Sequence, residues 1–141
     1  MITASITRLV KTPVTARHIN KVATTASRAE AKIHGAVDII LVGRERMRRL
    51  NKQFRGLNRP TDVLSFAWNE DKAYRGNNLG EIYLCPAVLL PQAKKWKVSF
   101  REEFSRMLVH GLLHLVGYDH DSEKKANVMF ALQEKIVKTS V

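Results

Sequence analysis

Three of the five histidines in this 141-residue chain fall in one short stretch, His110-Gly111-Leu112-Leu113-His114-Leu115-Val116-Gly117-Tyr118-Asp119-His120. His110 and His114 are four residues apart, so on a helix they share a face and both imidazoles can reach one metal ion. Gly117 is the expected stop of that helix, because glycine takes the left-handed conformation at little cost. The chain can then turn and bring His120 back over the helix end. Three neutral imidazoles leave a fourth position open around an ion, the arrangement of a catalytic zinc. Imidazole also suits nickel, copper and iron, so the spacing predicts one divalent ion, with Zn2+ as the first candidate.

The pattern His-x3-His-x2-Gly-x2-His repeats the ligand spacing of metzincin proteases. In those enzymes a glutamate follows the first histidine and takes a proton from water. Here Gly111 stands in its place, so a peptidase mechanism lacks its base. His18 and His34 have no partner at ligand spacing and are expected to be structural or solvated.

The elements that must position these histidines can be read from periodicity. Ser99-Phe100-Arg101-Glu102 matches a capping box and opens the histidine helix, with Phe100, Phe104, Met107, Leu108, Leu112 and Leu115 as its buried stripe. Asp121 or Ser122 caps a last helix to about Lys138, with Val128, Met129, Leu132 and Ile136 expected to face inward. At the other end, Ile2, Ala4 and Ile6 alternate with Thr3, Ser5 and Thr7, as in a strand, and Thr15 caps a helix from Ala16 to about Lys32 carrying Ile19, Val22, Ala23, Ala26 and Ala29 on one side. The early residues are basic, rich in Ser and Thr, and free of acids before Glu30, a composition shared with organelle transit peptides. The strand-and-helix periodicity favours a folded segment.

Residues 35–43 read as a buried strand, and Arg44 to about Phe54 as a helix with Met47, Leu50 and Phe54 as its apolar stripe. Its other positions carry Arg44, Arg46, Arg48, Arg49 and Lys52, either a solvated face or a row of phosphate contacts. A turn-rich connection at 56–61 leads to a strand at 63–68. A polar loop at 69–78, a strand at 79–85 and a helix from Pro86 to about Trp96 follow. No linker or repeat divides the chain, so residues 1–141 are expected to form a single domain.

Composition narrows the partners. Lys and Arg number 24 against 13 Asp and Glu, a net charge of +11, which favours polyanions such as RNA. The single cysteine, Cys85, allows no internal disulfide. No apolar run approaches the roughly 20 residues that span a bilayer, so no membrane partner is expected.

The histidine motif, with Leu50-Asn51, Phe54-Arg55-Gly56, Pro60-Thr61-Asp62-Val63-Leu64-Ser65-Phe66 and Leu79-Gly80-Glu81-Ile82, resembles the YbeY family of metal-dependent endoribonucleases over nearly the whole chain. The sequence departs from that pattern at Ala67, where proline is common, and at Glu81, where aspartate is common. The resemblance implies an α+β fold, with a mixed, mostly four-stranded sheet and about five helices, and a cleft leading to a zinc on His110, His114 and His120. It implies that Arg55 faces that cleft and clamps the phosphate. It further implies a cytoplasmic endoribonuclease that acts on single-stranded RNA in 16S rRNA 3′-end maturation and ribosome quality control, with small-subunit assembly proteins as partners. The catalytic residues are then Arg55 and His114. The proton acceptor stays open among Asp119, Asp121 and Glu81, as does attack by water or by the RNA's own 2′-hydroxyl. A ribosome-assembly factor that binds RNA without cutting it, or a metal hydrolase of another substrate, are the alternatives.

Overall fold

A computed structural model of the chain describes residues 1–68, 70 and 73–140; of the expected loop at 69–78, Asn69, Asp71 and Lys72 lie outside the described residues, as does Val141. The elements follow the order β1 (Ile2–Arg8), α1 (Ala16–Ala29), β2 (Gly35–Leu41), α2 (Arg44–Arg55), β3 (Val63–Ala67), β4 (Asn78–Leu84), α3 (Pro86–Trp96), α4 (Phe100–Leu115) and α5 (Glu123–Ser140). The strands form one mixed sheet in the order β1-β2-β4-β3. β1 and β2 run parallel, as do β2 and β4, while β3 is antiparallel to β4 and forms an open edge.

Period-two alternation decides what each face covers. Val37, Ile39, Leu41, Ile82 and Leu84 point to the face that carries α1, α4 and α5, where they join Ile19, Val22, Phe104, Leu108, Leu112 and Ile136 in the main core. Leu64, Phe66 and Tyr83 point to the opposite face and pack with Met47 of α2, Val42 and Cys85 in a smaller cluster. That second face is only partly covered, for Thr3, Ser5 and Thr7 of β1 are exposed. Gly80 lets β4 bend: it has φ +144°, and a Cβ there would lie 2.0 Å from the Phe66 carbonyl oxygen. The register between β2 and β4 shifts at this point, which turns Leu79 into the main core beside Ile82 and Leu84.

Local chemistry sets the helix ends. Thr15 Oγ1 accepts from His18 N–H at the start of α1, and Ser99 Oγ accepts from Glu102 N–H at the start of α4. Only that half of the expected capping box is seen as such, because the Glu102 carboxylate pairs with Arg106 at 3.0 Å. Of the two candidate caps for α5, Ser122 accepts the Lys125 N–H. Pro91 inside α3 leaves the Ala87 carbonyl without its helical donor, and Arg44 donates to that oxygen instead.

Several expectations need correction. α1 ends at Ala29, three residues early, because Glu30 is extended and its carboxylate is drawn towards Tyr118; Ala29 is exposed. Val128 is 56% exposed, and the inward face of α5 instead runs through Met129, Gln133, Ile136, Val137 and Ser140. Phe54 is also 56% exposed, its ring touching Phe66 edge-on at 4.9 Å between centroids.

The main core holds α4 directly on the sheet. Gly111 is fully packed there, and a Cβ at this position would sit 2.9 Å from Ile82 Cγ2. Ile82 is buried and β-branched, so it has little freedom to move aside. Gly111→Ala should therefore cost about 1–3 kcal/mol of stability by overpacking. In urea unfolding, the pair Gly111→Ala/Ile82→Ala should lose less than the sum of the two single changes.

Candidate metal centre

α4 carries His110 and His114 one turn apart at its C-terminal end. The helix stops at Leu115; Gly117 has φ +99°, and the Tyr118 N–H returns to the Leu113 carbonyl at 3.0 Å. This left-handed turn reverses the chain as the sequence predicts and brings His120 over the helix end. One ring nitrogen from each of His110, His114 and His120 lies within 4.8 Å of the others, a cluster that could hold a metal ion. His110 Nε2 and His114 Nε2 are 3.1 Å apart.

The donors are suited to a cation. His110 Nδ1 is 2.8 Å from Gln133 Oε1. An amide oxygen only accepts, so Nδ1 carries the proton and Nε2 is left with its lone pair facing the other two rings. Gln133 is itself held, through its amide nitrogen, by Glu134 at 3.1 Å. Glu134 takes three hydrogen bonds from the Arg106 guanidinium, which also binds Glu102 and the buried Glu103. Gln92 joins Glu103 to Asp62 beside β3. A ladder of paired polar groups thus runs behind the histidines from α5 to the start of β3. Burial, followed by repulsion from the neighbouring imidazoles, lowers His114 to about 4. Burial likewise lowers His110, against the opposing pull of Gln133. Both rings are neutral near pH 7, the form that binds metals. Phe130 stacks on His110 and His120, with centroids 6.2 and 5.9 Å away, and forms an apolar wall on one side.

On the other side of His114 lies a cleft of about 280 Å³ lined by Arg55, Ser65, Phe66, Ala67, Glu70, His114 and Leu115. Arg55 is the last residue of α2 and His114 belongs to α4. These helices lie on opposite faces of the sheet, so the two residues meet around the open edge of β3. Along that edge Cys85 N–H bonds to the Asp62 carbonyl and Trp68 N–H to the Leu79 carbonyl. Alternation then turns the backbone groups of Val63, Ser65 and Ala67 outward. Val63 N–H is taken by Asp62 Oδ1. Ser65 and Ala67 line the cleft.

The structure separates the candidate proton acceptors. Glu81 lies across the sheet from α4, where its carboxylate accepts from Trp68 and Tyr83. Asp121 is exposed and faces Lys125 at 3.4 Å. Asp119 stays beside the histidines, but its carboxylate caps the His120 N–H at 2.6 Å, which pulls its pKa down. Among the described residues, Glu70 is the acid that lines the cleft. Sequence reading missed it, and missed Gln133 and Phe130. Gln133 had a signal that could have been used, being a polar residue in register with Met129 and Ile136. His18 sits against Ser105 at 2.7 Å and His34 is exposed, both away from the cluster.

Known proteins match most of this chain. The family model described as Endoribonuclease YbeY matches residues 4–140. Proteins of that name are similar to the chain in Thermotoga maritima, 43% identical over 72% of this chain and 65% of the relative, and in Sulfurihydrogenibium, 45% identical over 71% and 66%. In Brevibacillus brevis the match is 40% identical over 75% of each. The chain thus spans a little under two-thirds of the length of the first two relatives. The solution structure of TM1509 from Thermotoga maritima superposes with a TM-score of 0.65, at 33% identity, over 96% of this chain and 89% of that one.

Two measurements test the centre. Gln133→Leu should weaken Zn2+ or Ni2+ affinity about 10–100-fold in a chelator competition, by freeing the His110 ring. The stability of the metal-free protein should fall as pH drops from about 6.5 towards 4. In that window the unfolded state protonates His114 while the folded state resists, so the unfolded state binds more protons. His114→Gln should flatten that part of a urea-midpoint profile against pH.

Proposed function

Because the chain belongs to the YbeY family, we propose that it is a metal-dependent endoribonuclease that cuts single-stranded RNA in the cleft between Arg55 and His114. One observation carries this reading: the Arg55 guanidinium and His114, one member of the three-histidine cluster, line the same cleft from opposite faces of the sheet. The net charge of +11 supports a polyanionic substrate.

His110, His114 and His120 are the residues that would hold the ion, and their neutral imidazoles suit zinc or nickel. When bound, such an ion supplies a Lewis acid and activates water near neutral pH. The rest of the work falls to the chain. Arg55 binds the scissile phosphate through paired N–H donors and meets the negative charge that grows on its oxygens during attack. The outward N–H groups of Ser65 and Ala67 orient the strand along the edge of β3. Phe130 keeps water from the rear of the histidine cluster, and Gln133 fixes the His110 ring. Glu70 accepts the proton of the attacking oxygen, whether that oxygen comes from water or from a ribose 2′-hydroxyl. Gly111 supports this assignment indirectly: its side of α4 is filled by Ile82, so a glutamate placed as in a peptidase would enter the core.

The family resemblance extends the reading to ribosomal RNA, in particular the 3′ end of the small-subunit RNA and ribosome quality control. Small-subunit assembly proteins would be partners, and the cytoplasm the site of action.

With metal and a single-stranded RNA, wild type should cut, Arg55→Glu should lose about 10²–10³-fold or more in rate, and His114→Ala should be inactive. RNA that is bound but cut no faster by wild type than by His114→Ala would replace the nuclease reading with that of an assembly factor. A 2′,3′-cyclic phosphate at the product end identifies 2′-hydroxyl attack, and a 5′-phosphate opposite a free 3′-hydroxyl identifies water.

A further inference from the structure

α1 and α5 leave a groove of about 610 Å³ between them, on the side of the sheet that carries α4. Arg17, Lys21 and Arg28 of α1 and Lys135 of α5 line it, with Thr24 and Thr139. No ion pair among the described residues involves any of these four cations. The acids nearest in sequence are engaged elsewhere: Glu30 accepts from Tyr118, and Glu134 from Arg106. α1 itself contains no acidic residue.

The stability of the fold does not account for this row. Arg17 and Lys21 are one turn apart, and like charges at that spacing weaken a helix. Arg17 also sits in the first turn, where the helix dipole disfavours a cation. The three α1 cations lie away from the buried stripe of Ile19, Val22, Ala23 and Ala26. They extend over about 16 Å of helix, at 1.5 Å per residue.

The groove also leads to the histidines. His18, near the start of α1, touches Ser105 in the first half of α4, while Glu30, just past the end of α1, bonds Tyr118 just past the end of α4. The two helices therefore run in the same direction. The Arg28 end of the groove is the end nearer the turn that carries His120, and the Arg17 end lies farther away.

We propose that the α1–α5 groove is a second contact surface for the RNA phosphate backbone, holding the strand where it leaves the three-histidine centre; this rests on the nuclease reading above. The lining favours RNA over a lipid surface. Besides the cations it offers hydroxyl and amide groups, from Asn20, Thr24, Thr25 and Thr139, which hydrogen-bond phosphate and sugar. A membrane-binding helix would instead expose aromatic or leucine side chains beside its cations.

The test compares Lys21→Glu/Arg28→Glu with a control of equal charge change, Lys94→Glu/Lys95→Glu on α3. Binding is measured with RNA of about 20 nucleotides, and cutting with RNA of about 4, too short to fill both surfaces. Losing two phosphate contacts should weaken binding of the long RNA at least about 25-fold at roughly 0.1 M salt, and make the salt slope shallower by about 1.4. The control should weaken it far less, and the short RNA should be cut at the wild-type rate by both. Lys21→Gln/Arg28→Gln, which adds no new charge, should give the same ordering and guards against misfolding by the reversal. Equal losses in groove and control variants, or equal losses for long and short RNA, would overturn the groove. Unchanged binding by the groove variant of a wild type that cuts RNA overturns the groove and leaves the nuclease reading standing. A wild type that binds long RNA through the groove but cuts nothing removes the nuclease reading alone.

Discussion

The contact between Gly111 and Ile82 sets the depth at which α4 lies on the sheet, and the site follows from that depth. Without a side chain at 111, the helix backbone settles against β4, and His114 comes out in the cleft beside β3. Had α4 stood off by the width of a larger residue, His114 would not share a cleft with Arg55, which arrives from a helix on the opposite face. The same contact excludes the glutamate that a peptidase of this ligand spacing would use. One steric constraint thus both places the histidines and withholds one kind of chemistry from them.

Around that contact the molecule spends its polar residues on orientation. The ladder from Gln133 through Glu134, Arg106, Glu103 and Gln92 to Asp62 connects α5, α4, α3 and the start of β3, tying the elements that border the site to one that does not. Its buried carboxylate, Glu103, is paired with Arg106 and hydrogen-bonded by Gln92, which is what burying it requires. Fixing the His110 tautomer is the local result. The wider result is that the elements carrying ligand, wall and edge cannot shift independently.

Most of the element order was legible in the sequence because it rests on short-range rules. Alternation of Ile2, Ala4 and Ile6, Pro86 at a helix start, Ser99 as a cap and Gly117 as a stop each act within a few residues. The histidine cluster was legible for the same reason, since ten residues with one turn contain all three rings. What escaped depends on neighbours distant in sequence. Val128 and Phe54 fit their helical stripes, yet the tertiary packing leaves both in solvent. Gln133 reads as an interruption of an apolar face until His110 is seen opposite it. Glu70 sits in what reads as an ordinary polar loop, and Glu81 loses its candidacy only when the sheet puts it on the far side. Arg55 became a site residue through family resemblance, because nothing local distinguishes it from the five other cations of α2.

The open edge of β3 has a further consequence for how copies of this protein behave towards each other. A strand with free N–H and C=O groups along one side is a template on which a second strand can add, and proteins usually blunt or cover such edges. This one is short, five residues, and flanked by helices on both faces, but its cleft side must stay bare if a substrate is to lie there. A net charge of +11 on each molecule works against the approach of two such edges. A bound polyanion would cancel that repulsion and occupy the edge at the same moment, so that protection against self-association passes from charge to occupancy without a gap.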